Sequence, residues 1–115
     1  MRKFRIVLVD ENKENVAHFR AVIDKVLPDT EVFSASTGAR GIELIKKTSP
    51  DVILIDSEQS PEDAIIMSQL MKEDKDLQII PVVLITDLDA DRQLRLKAID
   101  AGVESFLIKP LMRHF

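Results

Sequence analysis

The alternation of short apolar runs with helical stretches most strongly limits the folds open to this chain. Five runs read as strands, at residues 6–9, 31–35, 52–55, 82–85 and 106–108. Between them, apolar residues recur every three or four positions, as they do on one face of a helix. Strands and helices that alternate in this way indicate a parallel sheet with right-handed crossovers and helices on both faces.

The helical spacing occurs in four stretches. Their apolar positions are Val16, Phe19, Ile23 and Val26; Ile42 and Ile45; Ile66, Met67, Leu70 and Met71; and Leu94, Ala98 and Ala101. The segment SASTGARG at residues 34–41 is predicted to open the second helix. Gly102 stands where a helix would end in a left-handed residue, and Pro81 precedes the fourth strand, where its missing N–H is tolerated. No stretch of the chain reads as a linker.

Composition narrows the functions that the chain can have. With 115 residues, 45% of them hydrophobic, it fits one domain with a core of ordinary size. A net charge of −4, without a cluster of Lys and Arg, argues against direct binding of nucleic acid. The lack of cysteine excludes disulfides, thiolate metal sites and cysteine nucleophiles. The first apolar run is too short for a signal or membrane segment, so we expect a cytoplasmic protein without a membrane partner.

Polar residues follow four of the predicted strands. They are Asp10 and Glu11 after the first strand, Asp56 after the third, Thr86 after the fourth and Lys109 after the fifth. Each one alone has a structural explanation, as a helix cap, a loop residue or a solvated charge. However, ligands of open parallel sheets bind beyond the carboxyl ends of the strands. Together these residues would place three carboxylates, an ammonium and a hydroxyl around one cleft.

Three crowded carboxylates repel one another, and a bound cation would relieve that repulsion. Oxygen ligands, with no cysteine and no histidine near a strand end, favour magnesium over zinc. A divalent metal and the charge of Lys109 would neutralise the three acids. Such a cleft could accept a phosphoryl group, since the metal and the ammonium would pair with its oxygens. A carboxylate can be the nucleophile that forms an aspartyl phosphate, and Asp56 is the candidate.

Four stretches resemble the receiver domain of two-component response regulators. They are IVLVDEN with Asp10 and Glu11, PDVILID with Asp56, IPVVLIT with Thr86, and AGVESFLIKP with Lys109. The resemblance implies an α/β fold of the doubly wound, flavodoxin-like kind, with a five-stranded parallel sheet in the order 2-1-3-4-5. It also implies a signalling phosphoacceptor that assists its own phosphorylation and dephosphorylation, rather than an enzyme.

The resemblance assigns the metal and acceptor roles. Magnesium would be held by Asp10, Glu11, the Asp56 carboxylate and the backbone carbonyl of Glu58. Asp56 would receive a phosphoryl group from the phosphohistidine of a histidine kinase or phosphotransfer protein. The product would be an aspartyl phosphate in a phosphorelay.

The resemblance also assigns the switch. Lys109 would pair with one phosphoryl oxygen, and Thr86 would swing its hydroxyl in to bind another. That movement would let Phe106 change rotamer, which alters the face made by the fourth helix and the fifth strand. The partner of this face would be an unknown output domain, a downstream protein or a second copy in a homodimer.

Three residues depart from the family pattern around Asp56. Ser60 stands where the family usually has proline, Ala64 where it has glycine, and Glu58 adds a carboxylate near the incoming phosphoryl group. We expect Glu58 to slow phosphorylation or to alter the lifetime of the phosphorylated form by repulsion.

These departures leave an alternative open, a degenerate receiver that binds proteins without being phosphorylated. A phosphatase or a flavin-binding protein of similar architecture fits less well, since the loops lack the residues that each would need.

The end of the chain is shorter than the family pattern. After Lys109 and Pro110 only LMRHF remains, so the expected fifth helix would be absent or truncated. One face of the sheet would then lack a helix packed against it, and an exposed apolar area of that size promotes aggregation or association. We therefore expect residues 1–115 to be a receiver domain cut from a longer chain, or one whose gap a neighbouring copy covers.

Overall fold

A computed structural model of the protein describes residues 2–58, 60–87 and 92–109. The elements in chain order are β1 Phe4–Val9, α1 Lys13–Val26, β2 Thr30–Ala35, α2 Gly38–Thr48, β3 Val52–Asp56, α3 Pro61–Glu73, β4 Val82–Thr86, α4 Arg92–Asp100 and β5 Ser105–Ile108. The five predicted strands and four predicted helices are confirmed, and each strand is slightly longer than its apolar run. Among the described residues, none of the helices has the length and apolar character needed to cross a membrane.

The strands form one parallel sheet in the order β2-β1-β3-β4-β5, as predicted. The chain runs from β1 to β2 at one edge and then returns to place β3 on the other side of β1. This reversal leaves a crevice between the carboxyl ends of β1 and β3, where ligands of doubly wound sheets bind. Asp56 lies beside Ile85 in the register of β3 and β4, and Thr86 lies beside Ile108 in that of β4 and β5.

The core lies on both faces of the sheet. In β1, Val7 and Val9 join the cluster beneath α2, α3 and α4, whereas Ile6 and Leu8 join the cluster beneath α1, which contributes Phe19. Successive side chains of a strand point to opposite faces, so a strand that is apolar throughout needs cover on both. This arrangement explains why β1, β3 and β4 read as continuous apolar runs.

Local sequence signals set the starts of three helices. Asn12 caps α1, where its side chain accepts the N–H groups of Glu14 at 2.9 Å and Asn15 at 3.1 Å. Thr37 caps α2 in the same way, which confirms that the SASTGARG segment opens this helix. Pro61 is the first residue of α3, where the missing N–H has no helical partner in any case.

The end of α4 depends on a glycine. Gly102 has a φ of 98°, and a Cβ at this position would lie 2.4 Å from Cγ of Lys72. The predicted left-handed residue is therefore confirmed, and the close approach of the Lys72 stem adds a second reason for glycine.

The apolar spacing in α3 overstates its buried face. Ile66 and Leu70 belong to the helical spacing of this stretch, yet 51% and 50% of their surfaces are exposed. The residues that α3 buries are Ala64, Ile65, Met67, Ser68 and Met71. The predicted absence or truncation of a fifth helix concerns residues 110–115, which lie outside the described residues.

Candidate functional site

Asp56 is the last residue of β3, and its carboxylate is held at the carboxyl edge of the sheet. Its side chain is only 3% exposed, and Oδ1 accepts the N–H of Glu58 at 2.8 Å. Oδ2 lies 2.6 Å from Nζ of Lys109, but within the described part of the chain no donor is aligned to give it a hydrogen bond. This contact is an ion pair of poor geometry, so Oδ2 retains capacity for another ligand.

Lys109 follows β5, and its ammonium is shared between two carboxylates. Its N–H donates to the carbonyl of Thr86 at 2.8 Å, which anchors the backbone beside β4. Nζ donates to Oε2 of Glu58 at 2.7 Å, in addition to its ion pair with Asp56. Burial by itself would lower the pKa of the ammonium, but the two carboxylates outweigh burial and raise the pKa above its ordinary value. Lys109 therefore stays charged at neutral pH.

Asp10 lies at the end of β1 and is buried beside Asp56. Its N–H donates to the carbonyl of Ala35 at 3.0 Å, and its Oδ1 accepts the N–H of Asn12 at 2.9 Å. Burial raises the pKa of the Asp10 carboxyl, and the charge of Asp56 raises it further. The Asn12 N–H and the Asn15 side chain partly offset that rise. The two neighbouring carboxylates thus repel each other, as expected for a site that awaits a cation.

The remaining predicted residues lie around this pair. Glu11 is exposed and lines the same groove as Asp10 and Asp56. Thr86 is buried at the end of β4. Phe106 is partly buried in β5 and packs against the cluster beneath α2, α3 and α4. The β4–β5 register puts Thr86 and Phe106 on one face of the sheet, two residues apart along the strand direction.

The donor atoms at this edge suit a hard cation. In the described ranges no three acidic or histidine side chains stand close enough together to form a metal-binding group. Glu58 turns its carboxylate to Lys109, which leaves Asp10 and Asp56 as the nearest carboxylates. Magnesium in proteins is usually bound by one or two carboxylates and keeps several waters. The unsatisfied Oδ2 of Asp56, beside a repelling carboxylate, therefore fits such an ion.

Sequence reasoning missed two residues that support the site. Ser57 is buried directly after Asp56, and both its N–H and its Oγ donate to the carbonyl of Ile85 at 2.9 Å. These bonds fix the backbone at the acceptor against β4. Asn15, on the first turn of α1, acts on Asp10 through its side chain. A serine after an acid or an asparagine in a helix has no distinctive sequence signal, since both are common in loops and first turns.

The doubly wound sheet and the acidic crevice that faces a lysine define a protein of the receiver type. A comparison with protein families agrees: the family described as "Response regulator receiver domain" matches residues 6–114, and the chain belongs to it. The family is that of two-component signalling proteins, and the prediction from the four motifs is confirmed.

Individual relatives extend this result. The chain is 33% identical over 107 residues to the response regulator PleD of Caulobacter vibrioides, a match that covers 93% of this chain and 23% of PleD. It therefore spans less than a quarter of that relative. The signal receiver domain of a DNA-binding response regulator from Colwellia psychrerythraea has the same fold, with a TM-score of 0.82, 19% identity, and coverage of 93% of this chain and 86% of that one.

A further solved structure bears on the metal. It is the receiver domain of a sensor histidine kinase from Pseudomonas aeruginosa, described with a magnesium ion coordinated in its active site cleft. Its TM-score is 0.78 at 20% identity, and the match covers 96% of this chain and 87% of that one. At this identity the likeness shows the fold alone.

Proposed function

We propose that this receiver domain accepts a phosphoryl group on Asp56 in a magnesium-dependent reaction. The observation that carries the proposal is the state of the Asp56 carboxylate. It is almost fully buried at the edge of the sheet, and its Oδ2 faces the Lys109 ammonium without an aligned donor. A carboxylate oxygen can accept more than one partner, so Oδ2 can bind a further ligand beside this ammonium. Membership of the receiver family supports this interpretation.

The chain's own residues would promote the transfer. An oxygen of Asp56 would form a bond to phosphorus while the bond from phosphorus to the donor imidazole breaks and leaves its electron pair on that nitrogen. Lys109, kept protonated by its carboxylate neighbours, would stabilise the negative charge on the phosphoryl oxygens. Thr86 would turn its hydroxyl toward the same group and donate to another oxygen.

Magnesium would be held by Asp10 and Asp56, with Glu11 acting directly or through water and Glu58 contributing its backbone carbonyl. When bound, it would neutralise these carboxylates and pair with the phosphoryl oxygens. Burial raises the pKa of Asp10 and the charge of Asp56 raises it further, and a cation at this point would relieve both effects. The exposed side chain of Glu58 is bound to Lys109, so an incoming phosphoryl group would compete with it for the ammonium.

Phosphorylation would change the shape of one surface of the domain. Thr86 and Phe106 share one face of adjacent strands, so an inward turn of the Thr86 hydroxyl would open room for the Phe106 ring. The surface formed by α4 and β5 would then present a different shape to an output domain or a downstream protein. The donor of the phosphoryl group would be a histidine kinase or phosphotransfer protein, and we place the reaction in the cytoplasm.

Intact mass measurement tests this proposal. The protein would be incubated with a small-molecule phosphodonor, with and without magnesium, as wild type and as the Asp56→Asn variant. Asp63→Asn is a matched control, since this exposed acid lines the same groove. We expect one labile phosphoryl group in the wild type and in the control. The group should be missing from Asp56→Asn and from the magnesium-free sample.

Two results of the mass measurement would contradict the proposal. If the folded wild type gains no mass in the presence of magnesium, the phosphoacceptor proposal is wrong and a degenerate receiver is the better description. Circular dichroism would establish that each variant is folded. If Asp56→Asn is still phosphorylated, another residue is the acceptor.

A further inference from the structure

A groove of about 410 Å³ lies between α2 and α3, which pack side by side on one face of the sheet. Ala64 and Met67 line it and are buried, so its floor is apolar. Ile42 of α2 lines one wall, and Ile66 and Leu70 of α3, each about half exposed, line the other. We call this site the α2–α3 groove. It leaves large apolar side chains open to solvent in a concave surface, as binding grooves do.

The end of the α2–α3 groove at the carboxyl edge of the sheet is acidic. Glu11, after β1, and Asp63, on the first turn of α3, line this end and are exposed, and the buried Asp10 and Asp56 line it too. Neither Glu11 nor Asp63 makes an ion pair with another described residue. Of the described residues that line the groove, none is a lysine or an arginine. A ligand would therefore meet negative charge at one end and apolar side chains along the rest.

We propose that the α2–α3 groove binds an amphipathic helix of a partner protein, through one basic and two apolar side chains. Asp63, Ile66 and Leu70 lie at positions i, i+3 and i+7, so they form a line along one side of α3. A second helix presents side chains at the same one-turn interval of about 5.4 Å, so a basic residue followed by two apolar residues matches them in turn. An extended segment fits less well, because the walls are helices and offer no strand edge to its backbone.

The apolar and the charged contacts have different effects on this binding. Burial of Ile66 and Leu70 under the partner's apolar side chains supplies most of the affinity. Glu11 and Asp63 are exposed, so their pairing with the basic side chain adds modest energy but fixes the register and rejects acidic partners. The net charge of −4 also favours a basic partner. This binding is independent of the chemistry proposed for Asp56.

NMR titration of the isotope-labelled protein with two designed peptides tests the proposal. Both are alanine-rich helix formers with leucine at the fourth and eighth positions of the motif. One has arginine at the first position and the other has glutamate. In the presence of a metal chelator, the arginine peptide should shift the amide signals of α2 and α3 along the groove, with a dissociation constant below about 1 mM. The glutamate peptide should bind about fivefold more weakly or worse, because it meets like charge.

Variants of the protein separate the groove from general effects of charge and hydrophobicity. Ile66→Ser and Leu70→Ser should each weaken binding of the arginine peptide about fivefold. Asp63→Lys should reduce the preference for arginine over glutamate by about threefold or more. Two matched controls lie outside the groove: Leu96→Ser removes a similarly exposed apolar side chain of α4, and Glu62→Lys reverses the charge next to Asp63. Both controls should bind within about twofold of the wild type.

Several results would overturn the proposal. It is wrong if the arginine peptide causes no shifts at about 1 mM, if both peptides bind equally well, or if the shifts lie away from α2 and α3. If concentrating the wild type without peptide shifts the same signals, a second copy occupies the groove instead. If octylamine shifts these signals and the peptides do not, the groove binds a small cationic amphiphile instead of a helix. The dispersion of each spectrum establishes that the variant is folded.

Discussion

Replacing Lys109 with methionine should destabilise the metal-free domain, because it removes the ammonium that faces a buried carboxylate. Methionine keeps the length and apolar character of the lysine stem, so the packing around the stem is largely retained. The Asp56 carboxylate, only 3% exposed, would then lack the cation that faces it. The neighbouring carboxylate of Asp10 would still repel it.

The contacts of Lys109 set the size of the effect. Removing one partner of a buried ion pair costs about 3–5 kcal/mol. Lys109 keeps 21% of its side-chain surface exposed, and water can solvate Glu58 once it is released. We therefore expect the free energy of unfolding to fall by about 2–3 kcal/mol at neutral pH. In the Asp56→Asn background the same substitution should cost about 1 kcal/mol or less, which gives a coupling of about 1–3 kcal/mol.

Urea unfolding in the presence of a metal chelator measures these quantities. Circular dichroism is the suitable signal, since the chain contains no tryptophan and no tyrosine. Lys25→Met on the exposed side of α1 is the matched control and should change the stability by less than about 0.5 kcal/mol. An equal loss with and without the Asp56 charge would refute the reasoning, because the cost would then come from the packing of the stem.

Three other substitutions test the site and the end of α4. Asp10→Asn should stabilise the metal-free domain at neutral pH. Burial and the charge of Asp56 raise the pKa of the Asp10 carboxyl in the folded protein. The stability that the protonated carboxyl contributes at low pH is therefore lost as the pH rises through this folded pKa, and asparagine avoids that loss. Urea unfolding at a series of pH values should show the advantage shrinking as the pH falls, and an advantage that does not vary with pH would contradict this account. Gly102→Ala should cost about 1–3 kcal/mol by the same assay, since the φ of 98° and the Lys72 stem both oppose a Cβ. Glu58→Asn should change the rate at which the phosphorylated domain loses its phosphoryl group, followed by intact mass over time, and an unchanged rate would show that this carboxylate has no influence on the acceptor.

Local patterns in the sequence determined the architecture of this protein. Short apolar runs located the five strands, and apolar residues spaced three or four positions apart located the four helices. Gly102 could be predicted to end α4, since a left-handed residue favours glycine whatever packs beside it. The edge of the sheet that holds the site also followed, because parallel strands bring their carboxyl ends together.

The tertiary structure alone decided how the site residues pair and which apolar residues stay exposed. The pairing of Asp10 with Asp56, and the capture of Glu58 by Lys109, join residues that are far apart in the sequence, so no local pattern could determine them. Ile66 shares the helical spacing of Met67 and Leu70, yet it is half exposed. The reason is physical: spacing shows which residues share a side of a helix, but burial depends on whether another element packs against that side.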